Sequence, residues 1–482
     1  PSLGKDSIRS GLTASVIGVI LVSLFMFVYY RKAGIVANIA LILNVVILFG
    51  VMCYIDTTLT LPGIAGIALT IGMAVDANVL IYERIREELE QGKSLKGAIA
   101  AGYSRAFGTI FDSNITTLIS SIILIYFGTG PVKGFGVTLT IGIAASMFTA
   151  VVVTRIIFDW LVDKNLIKTL NMFKFFGRTN IDFIKYAKPV IATTVLIILI
   201  GNFYGIVIRG KNILGLDFAG GDRLIMSFSQ KVDVGQIRST IDKLKAGDVL
   251  IQYQKDISIN KENLSIASPY GTGDRIFKAL NEAFPDAKFK VDSYETVGPS
   301  IGKEIQNTAI KAIIISLFGI MFYVAIRYEF SFAVGSVIAL IHDVLISLGI
   351  FFLSGRQLNA PILAAILTII GFSINDTIVI FDRIREDLRL GIKGTFKEII
   401  NRAINQTLSR TIITSGTVFI ATLCLYLFGG GVINDFAFIF LIGTITGTYS
   451  TIFIASAFVL YYHKGEKPKI ATQVTIEESA AS

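Results

Sequence analysis

A run of roughly 20 apolar residues is long enough to cross a hydrocarbon core of about 30 Å as a helix, and this 482-residue chain contains about eleven such runs. They fall near 11–30, 34–54, 60–82, 108–127 and 134–159, and again near 189–208, 306–327, 331–354, 360–381, 409–428 and 434–462. A polar stretch, 209–305, interrupts them. Lipid offers no hydrogen-bond partners, so each run has to satisfy its own backbone as a helix. With 53% hydrophobic and 16% charged residues, the chain is too apolar to cover a water-soluble surface. The expected fold is an all-α polytopic membrane protein with two pseudo-symmetric helix bundles and a small exported α+β domain.

Lys and Arg set the orientation, because cytoplasmic loops retain them. Three loops hold most of the positive charge: 83–107 with Arg84, Arg86, Lys93, Lys96 and Arg105; 160–188 with Lys164, Lys168, Lys174, Arg178, Lys185 and Lys188; and 382–408 with Arg383, Arg385, Arg389, Lys393, Lys397 and Arg402, followed closely by Arg410. Alternating the spans puts all three on one side. The opposite connections, Asp56 to Leu59 and Gly429 to Val432, lack positive charge, so 209–305 is expected to be exported. The segments Glu83–Glu90 and Asp382–Leu390 read as amphipathic helices lying at the cytoplasmic interface, where a partner docks in the competing reading. The resulting division is a bundle over 1–165, a basic linker over 166–188, a single span over 189–208, the exported domain over 209–305, a second bundle over 306–463 and a disordered tail over 464–482.

Within 209–305 the pattern predicts strands over Leu224–Phe228, Val249–Ile259, Leu264–Ala267 and Lys288–Tyr294, and helices capped by Asp233 and Asp274. The order βαββαβ suggests a ferredoxin-like unit, and nothing in it forms a catalytic set.

The chain repeats itself. Pro1-Ser2-Leu3-Gly4-Lys5 returns as Pro299-Ser300-Ile301-Gly302-Lys303, Glu83-Arg84-Ile85-Arg86-Glu87 as Asp382-Arg383-Ile384-Arg385-Glu386, and Gly130–Phe135 as Gly431–Phe436. Both copies have the same expected orientation, which makes this a parallel repeat of the kind found in transporters. The second copy follows a span and an exported domain, so the repeat predicts an equivalent pair upstream of Pro1 in the natural protein.

The net charge of +9 is dispersed among loops and forms no stripe for nucleic acid. Cys53 and Cys424 lie in apolar runs without a spacing motif. With only two histidines, His342 and His463, no multi-histidine metal site is expected. Gly429-Gly430-Gly431 lacks the Lys of a phosphate loop, so no cofactor is expected and energy would come from an ion gradient, protons or, alternatively, sodium.

An ionisable side chain in mid-span costs about 2.5–3.5 kcal/mol on insertion scales and calls for an explanation. Asp76 and Asp376 occupy corresponding spans of the two repeats, although a gapless alignment pairs Asp76 with Asn375. Burial favours a protonated carboxyl and a nearby cation favours the carboxylate, so an Asp beside Arg410 would be poised to exchange a proton. Thr414 lies one turn beyond Arg410, where it could hold a proton-carrying water, and Thr109 takes the position matching Arg410. Asp343, His342, Asn375 and Asp112 are candidates to extend the relay. The competing reading is that these groups are helix–helix glue satisfied by hydroxyls and amides, and that Arg410 snorkels to the interface.

Gly72-Met73-Ala74-Val75-Asp76-Ala77-Asn78, Phe111-Asp112-Ser113-Asn114-Ile115-Thr116-Thr117, Leu216-Asp217-Phe218-Ala219-Gly220-Gly221, His342-Asp343 and Asn375-Asp376-Thr377 together resemble the SecDF family, accessory protein-translocation factors of the bacterial Sec system within the resistance-nodulation-division superfamily. Residues 1–165 look like the membrane part of SecD and 170–465 like SecF. The resemblance implies a multi-pass protein of the bacterial cytoplasmic (inner) membrane. It also implies work by the proton-motive force on unfolded preproteins beside the Sec channel, through a relay matching Asp76, Asp376, Arg410 and Thr414. The departure is the absence of SecD's large first exported domain, so substrate-gripping residues are unassigned. A small-molecule or lipid exporter of the same superfamily is the alternative. An intramembrane aspartyl protease also needs two aspartates sharing a proton, but neither Asp76 nor Asp376 lies in a Gly-x-Gly-Asp sequence.

Overall fold

A computed structural model describes residues 2–174, 179–247, 249–256 and 261–468. Eleven of its helices are long and apolar enough to cross a membrane: α1 (Ile8–Tyr30), α2 (Lys32–Tyr54), α3 (Leu61–Glu90), α4 (Leu95–Phe127), α5 (Pro131–Asp163), α6 (Phe183–Ile213), α10 (Pro299–Arg327), α11 (Phe330–Leu353), α12 (Ala360–Arg389), α13 (Phe396–Phe428) and α14 (Gly431–Tyr462). The protein is a mostly helical, multi-pass membrane protein. Residues 469–482, most of the expected tail, lie outside the described residues.

Each repeat is organised around one helix. The apolar windows of α3 and α12 are 94% buried, against 17–67% for the other nine, so these two helices form the centres and the rest face outward in part. The bundles interlock, with α3 packing on α13 and α12 on α4. Small residues permit the approach: a Cβ on Gly72 of α3 would lie 3.2 Å from the Val418 Cα, and one on Gly371, its repeat equivalent in α12, 3.2 Å from the Thr117 Cα. In lipid, where apolar contact between helices gains little over contact with acyl chains, such close backbone packing is a main source of association.

The charged segments expected to lie flat at the interface do not. Glu83–Glu90 and Asp382–Arg389 are the last turns of α3 and α12. Their apolar faces, with Ile85, Ile384 and Leu388 buried, pack against the first turns of α4 and α13, where Ala98, Ile99, Ile399 and Ile400 are buried. Helical extension beyond the apolar span replaces a surface helix because both partners are amphipathic over the same length. Arg84 bonds Glu386 at 3.2 Å across the two repeats, and Arg383 bonds Glu386 at 2.8 Å. Part of the basic linker is also held: the Ile181 N–H donates to the Asn405 Oδ1 at 2.9 Å, and Asp182 accepts from Lys397 at 2.7 Å.

Between α6 and α10 lies the α+β domain, with α7 (Leu216–Ala219), β1 (Gly221–Ser227), α8 (Val234–Asp242), β2 (Leu250–Asp256), β3 (Lys261–Ser268), α9 (Gly273–Ala283) and β4 (Lys290–Val297). The order βαββαβ matches the sequence expectation, and the four strands form an antiparallel sheet in the order β2-β3-β1-β4. Leu224, Met226, Leu264 and Ile266 on the sheet pack against Ile237, Ile241, Ile276 and Leu280 on the two helices.

Asp233 caps α8 as expected, accepting from the Gly235 N–H at 2.8 Å. Asp274 does not cap α9. That helix begins at Gly273, one residue earlier, and its first amide donates to Asp222 on β1 at 2.8 Å. A tertiary acceptor has replaced the local one.

Asp222 also accepts from the Thr296 hydroxyl at 2.6 Å and the Tyr294 hydroxyl at 3.3 Å. Burial alone would raise its carboxyl, but the bonds from Thr296, Gly273 and Tyr294 outweigh burial and hold it below the usual carboxylate range. A folded value below the unfolded one, about 3.9, gives stability that is present above the unfolded value and lost as pH falls through the folded one. Asp222→Ala should therefore destabilise the domain by about 1–3 kcal/mol at pH 7, and the gap to wild type should close towards pH 3. Limited proteolysis of the domain in the whole protein, as a function of pH and urea, checks this.

Candidate functional site

The acids sit at the middle of the two central helices, on the faces that meet between the bundles. Asp76 on α3 is 7% exposed and Arg410 on α13 is 4% exposed, and the Arg410 Nη2 donates to the Asp76 Oδ1 at 2.9 Å. The Asn375 amide of α12 donates to the other carboxylate oxygen, Oδ2. The two residues that the gapless repeat alignment pairs, Asp76 and Asn375, thus meet across the pseudo-two-fold. Burial argues against snorkelling, because the Arg410 head group is held inside the protein by a carboxylate of the other repeat.

Asp376, 3% exposed, follows Asn375 on α12 and accepts from the Ser415 hydroxyl of α13 at 3.2 Å. Arg410 and Asp76 both act on it electrostatically, and Thr414 is within hydrogen-bonding reach. The expected relay of Asp76, Asp376, Arg410 and Thr414 is therefore one contiguous cluster. The sequence left open which aspartate meets Arg410: the salt bridge is to Asp76 of the first repeat, and Asp376 accepts from the Ser415 hydroxyl. Two aspartates sharing one proton need an otherwise uncompensated pair, whereas one member here carries a guanidinium and an amide, so the geometry is not that of an aspartyl protease.

Among the described residues, the Arg410 Nε and Nη1, the Asn375 Oδ1 and the Asn78 Oδ1 are buried without a hydrogen-bond partner. Orphaned groups of this kind cost about 1–3 kcal/mol each and are normally met by buried water. A small cavity lies on the Asp76–Asn375 side of the cluster, lined also by Thr70, Asn114, Thr117 and Ser146.

The candidates for extending the relay divide. Asn375 belongs to the cluster. Asp343 on α11, fully buried, forms a second centre within the second bundle, where Ser373 and Ser450 donate to its Oδ2 at 2.6 and 2.7 Å and His342 Nδ1 lies 3.1 Å from its Oδ1. Ser373, one turn before Asp376 on α12, ties this centre to the first. The first repeat has Asn44 here, which bonds the Gly142 carbonyl at 3.1 Å. Asp112 is not brought to the relay. Its oxygens are taken by the Arg327 Nε at 2.9 and 2.7 Å and by the Tyr323 hydroxyl at 2.8 Å, making a structural pair between α4 and α10. The reason is positional: α4 presents Asp112 to the end of α10, whose last residue is Arg327. Thr109, the counterpart of Arg410, donates to Asp382 at 2.7 Å.

Sequence reasoning missed Ser415 and Thr448. Thr448 on α14 donates to the Ser415 Oγ at 2.8 Å, extending the hydroxyl chain from Asp376. The available signal was the series Thr407, Thr411, Thr414 and Ser415, which recurs at helical spacing on one face of α13. It also missed two of the π-turns, Thr149–Val153 in α5 and Thr451–Ala455 in α14. They occupy corresponding places in the repeats; Ser450, just before the second, reaches Asp343, in keeping with the occurrence of such turns at functional sites.

Residues 1–164 and 276–465 match the family model described as "Protein export membrane protein SecD/SecF, C-terminal". The protein translocase subunit SecDF of Brucella abortus is 35% identical over 97% of this chain and 62% of its own length. The protein translocase subunit SecF of Thermodesulfovibrio yellowstonii is 40% identical over 61% of this chain and 98% of its own. The crystal structure of SecDF from Thermus thermophilus, described as a translocon-associated membrane protein, superposes with a TM-score of 0.88 at 37% identity, covering 96% of this chain and 63% of that one. The chain spans 62–66% of the length of the SecDF relatives it matches.

Removing one partner of a buried ion pair strands the other and costs about 3–5 kcal/mol. Arg410→Ala should therefore lower the thermal midpoint in detergent, whereas the double variant Asp76→Asn/Arg410→Ala should recover much of the loss. Measuring both singles and the double in one cycle checks this, and additive losses would count against the pair.

Proposed function

The chain belongs to the SecD/SecF family of protein export membrane proteins, and from that premise we propose that it is a proton-driven accessory factor of preprotein export in the bacterial cytoplasmic membrane. In this reading the three basic loops face the cytoplasm and the α+β domain the outside, as the Lys and Arg distribution supports. The domain is a ferredoxin-like unit, a reading supported by its βαββαβ order and β2-β3-β1-β4 sheet. Its partners are the Sec channel with its associated subunits, unfolded preproteins and membrane lipid. The SecDF of the superposed crystal structure is itself described as translocon-associated.

The observation that carries the reading is a buried carboxylic acid, Asp376, next to a salt bridge that crosses the two bundles. A proton arriving on Asp376 cancels a charge beside the Asp76–Arg410 pair and changes the attraction between α12 and α13. Loss of that proton to the opposite side restores it. Since α12 belongs to one repeat and α3 to the other, each protonation cycle biases how the bundles rock, the alternating-access logic of duplicated transporters. The energy is sufficient: one charge crossing the membrane releases about 2.3 kcal/mol per 100 mV, several times thermal energy. Thr414, Ser415 and Thr448 supply hydroxyls for the path, and Asp343 with His342 serves as a branch from Ser373.

Asp376→Asn keeps the size of the side chain and one acceptor oxygen but cannot titrate. In membrane vesicles, the increase in preprotein export that a proton gradient gives to wild type should vanish in this variant at equal protein levels. Export that still responds to the gradient in Asp376→Asn would mean that Asp376 is structural.

A further inference from the structure

The motif Leu216-Asp217-Phe218-Ala219-Gly220-Gly221 plays no part in the proton site, yet it binds the helix that carries it. α12 begins at Ala360, and Asn359, the residue in the capping position, makes no side-chain bond to the helix. By contrast α3, its repeat equivalent, is capped by Thr60, which accepts from the Gly63 N–H. The missing acceptor for α12 comes from 143 residues upstream: the Ala360 N–H donates to the Asp217 Oδ2 at 2.8 Å. A carboxylate is the group favoured at a helix N-terminus.

The same segment holds the preceding helix end. The Arg209 guanidinium donates to the carbonyls of Phe352, Arg356 and Gly355 at 3.1, 2.7 and 2.9 Å, at the C-terminus of α11, where a cation is favoured. Between these anchors Leu214 and Leu358 pair as a parallel bridge, with the Gly215 N–H donating to the Leu358 carbonyl and the Leu358 N–H to the Ile213 carbonyl, both at 2.7 Å. The fit is tight: a Cβ on Gly215 would lie 1.8 Å from the Asn359 Oδ1 and 2.8 Å from the Leu358 carbonyl oxygen. Downstream, Gln306 of α10 donates to the Phe218 carbonyl at 2.6 Å, and β1 begins at Gly221.

We infer that residues 209–219 are the coupling element that fastens the α+β domain to the α11–α12 corner, with Asp217 and Arg209 as its positioning residues. The inference rests on the proton-coupled reading above. Asp376 lies 16 residues along α12 from Ala360, about 24 Å at 1.5 Å per residue, on a helix whose only proline is in its first turn. A displacement of α12 at the proton site therefore reaches Asp217 along a continuous rod and moves the root of β1.

The test uses the whole protein in liposomes with Cys53→Ser, and with spin labels at Tyr270→Cys on the α+β domain and Val432→Cys at the start of α14, both exposed in the native protein. The inter-label distance is measured with and without a proton gradient, and proton flux is followed with an entrapped pH dye. Wild type should show a gradient-dependent distance change, and Asp376→Asn should lose both this change and the flux. Asp217→Ala should reduce the distance change at least fivefold while flux persists. Gly215→Ala should act in the same direction, and Asp217→Asn, which keeps an acceptor, should retain the change. A wild-type distance response in both Asp217→Ala and Gly215→Ala overturns the coupling role alone. Loss of flux together with the distance change in Asp217→Ala also overturns it, because Asp217 would then be supporting the centre itself. A wild type silent in both readouts overturns the proton-coupled reading and this inference with it.

Discussion

The Asp76–Arg410 ion pair is the interaction around which the membrane part is arranged. It joins the central helix of one repeat to a peripheral helix of the other, with both charged groups buried in the protein. Two buried charges are tolerable only if they are paired and further hydrogen-bonded, which accounts for the Asn375 amide on the free carboxylate oxygen. The close packing at Gly72 and Gly371 brings the helices near enough for the pair to form. Without that approach the insertion cost of each charge would go uncompensated.

The repeats have diverged where chemistry is concerned and stayed alike where packing is concerned. Gly72 and Gly371 keep the same task, as do Arg84 and Arg383, which both engage Glu386. By contrast Arg410 corresponds to Thr109, and Asp343 to Asn44. The charged members of both pairs lie in the second repeat, whereas in the pair Asp76 and Asn375 the acid lies in the first, so the polar groups at the interface are not related by symmetry.

The α+β domain is joined to the bundle by more than its two chain connections. Charges of opposite sign on two helix ends, Arg209 on α11 and Asp217 on α12, satisfy terminal backbone groups that would otherwise be orphaned. The same logic recurs inside the domain, where Asp222 supplies the acceptor for the first amide of α9. In both places a helix start that lacks a local cap takes one from a distant segment, and this ties the two together.

Much of the architecture was legible in the residues. Eleven apolar runs of spanning length, the repeat and the βαββαβ order follow from periodicities that local physics imposes, because a lipid-facing backbone has only the helix available and a half-buried strand has to alternate. The identity of the proton-bearing candidates was legible for a related reason: a mid-span acid is costly enough to stand out in any sequence. What only the tertiary structure decided was who meets whom. Asp112 and Asp376 look alike as intramembrane acids, yet one is held by Arg327 at the edge and the other lies beside Arg410 at the centre. The same holds for Asp274, which a local rule made a cap, and for Asp217, which no local rule connects to Ala360. Local propensities act within a few residues, whereas these partners are brought together by the packing of whole helices, and that packing depends on the summed contacts of both repeats.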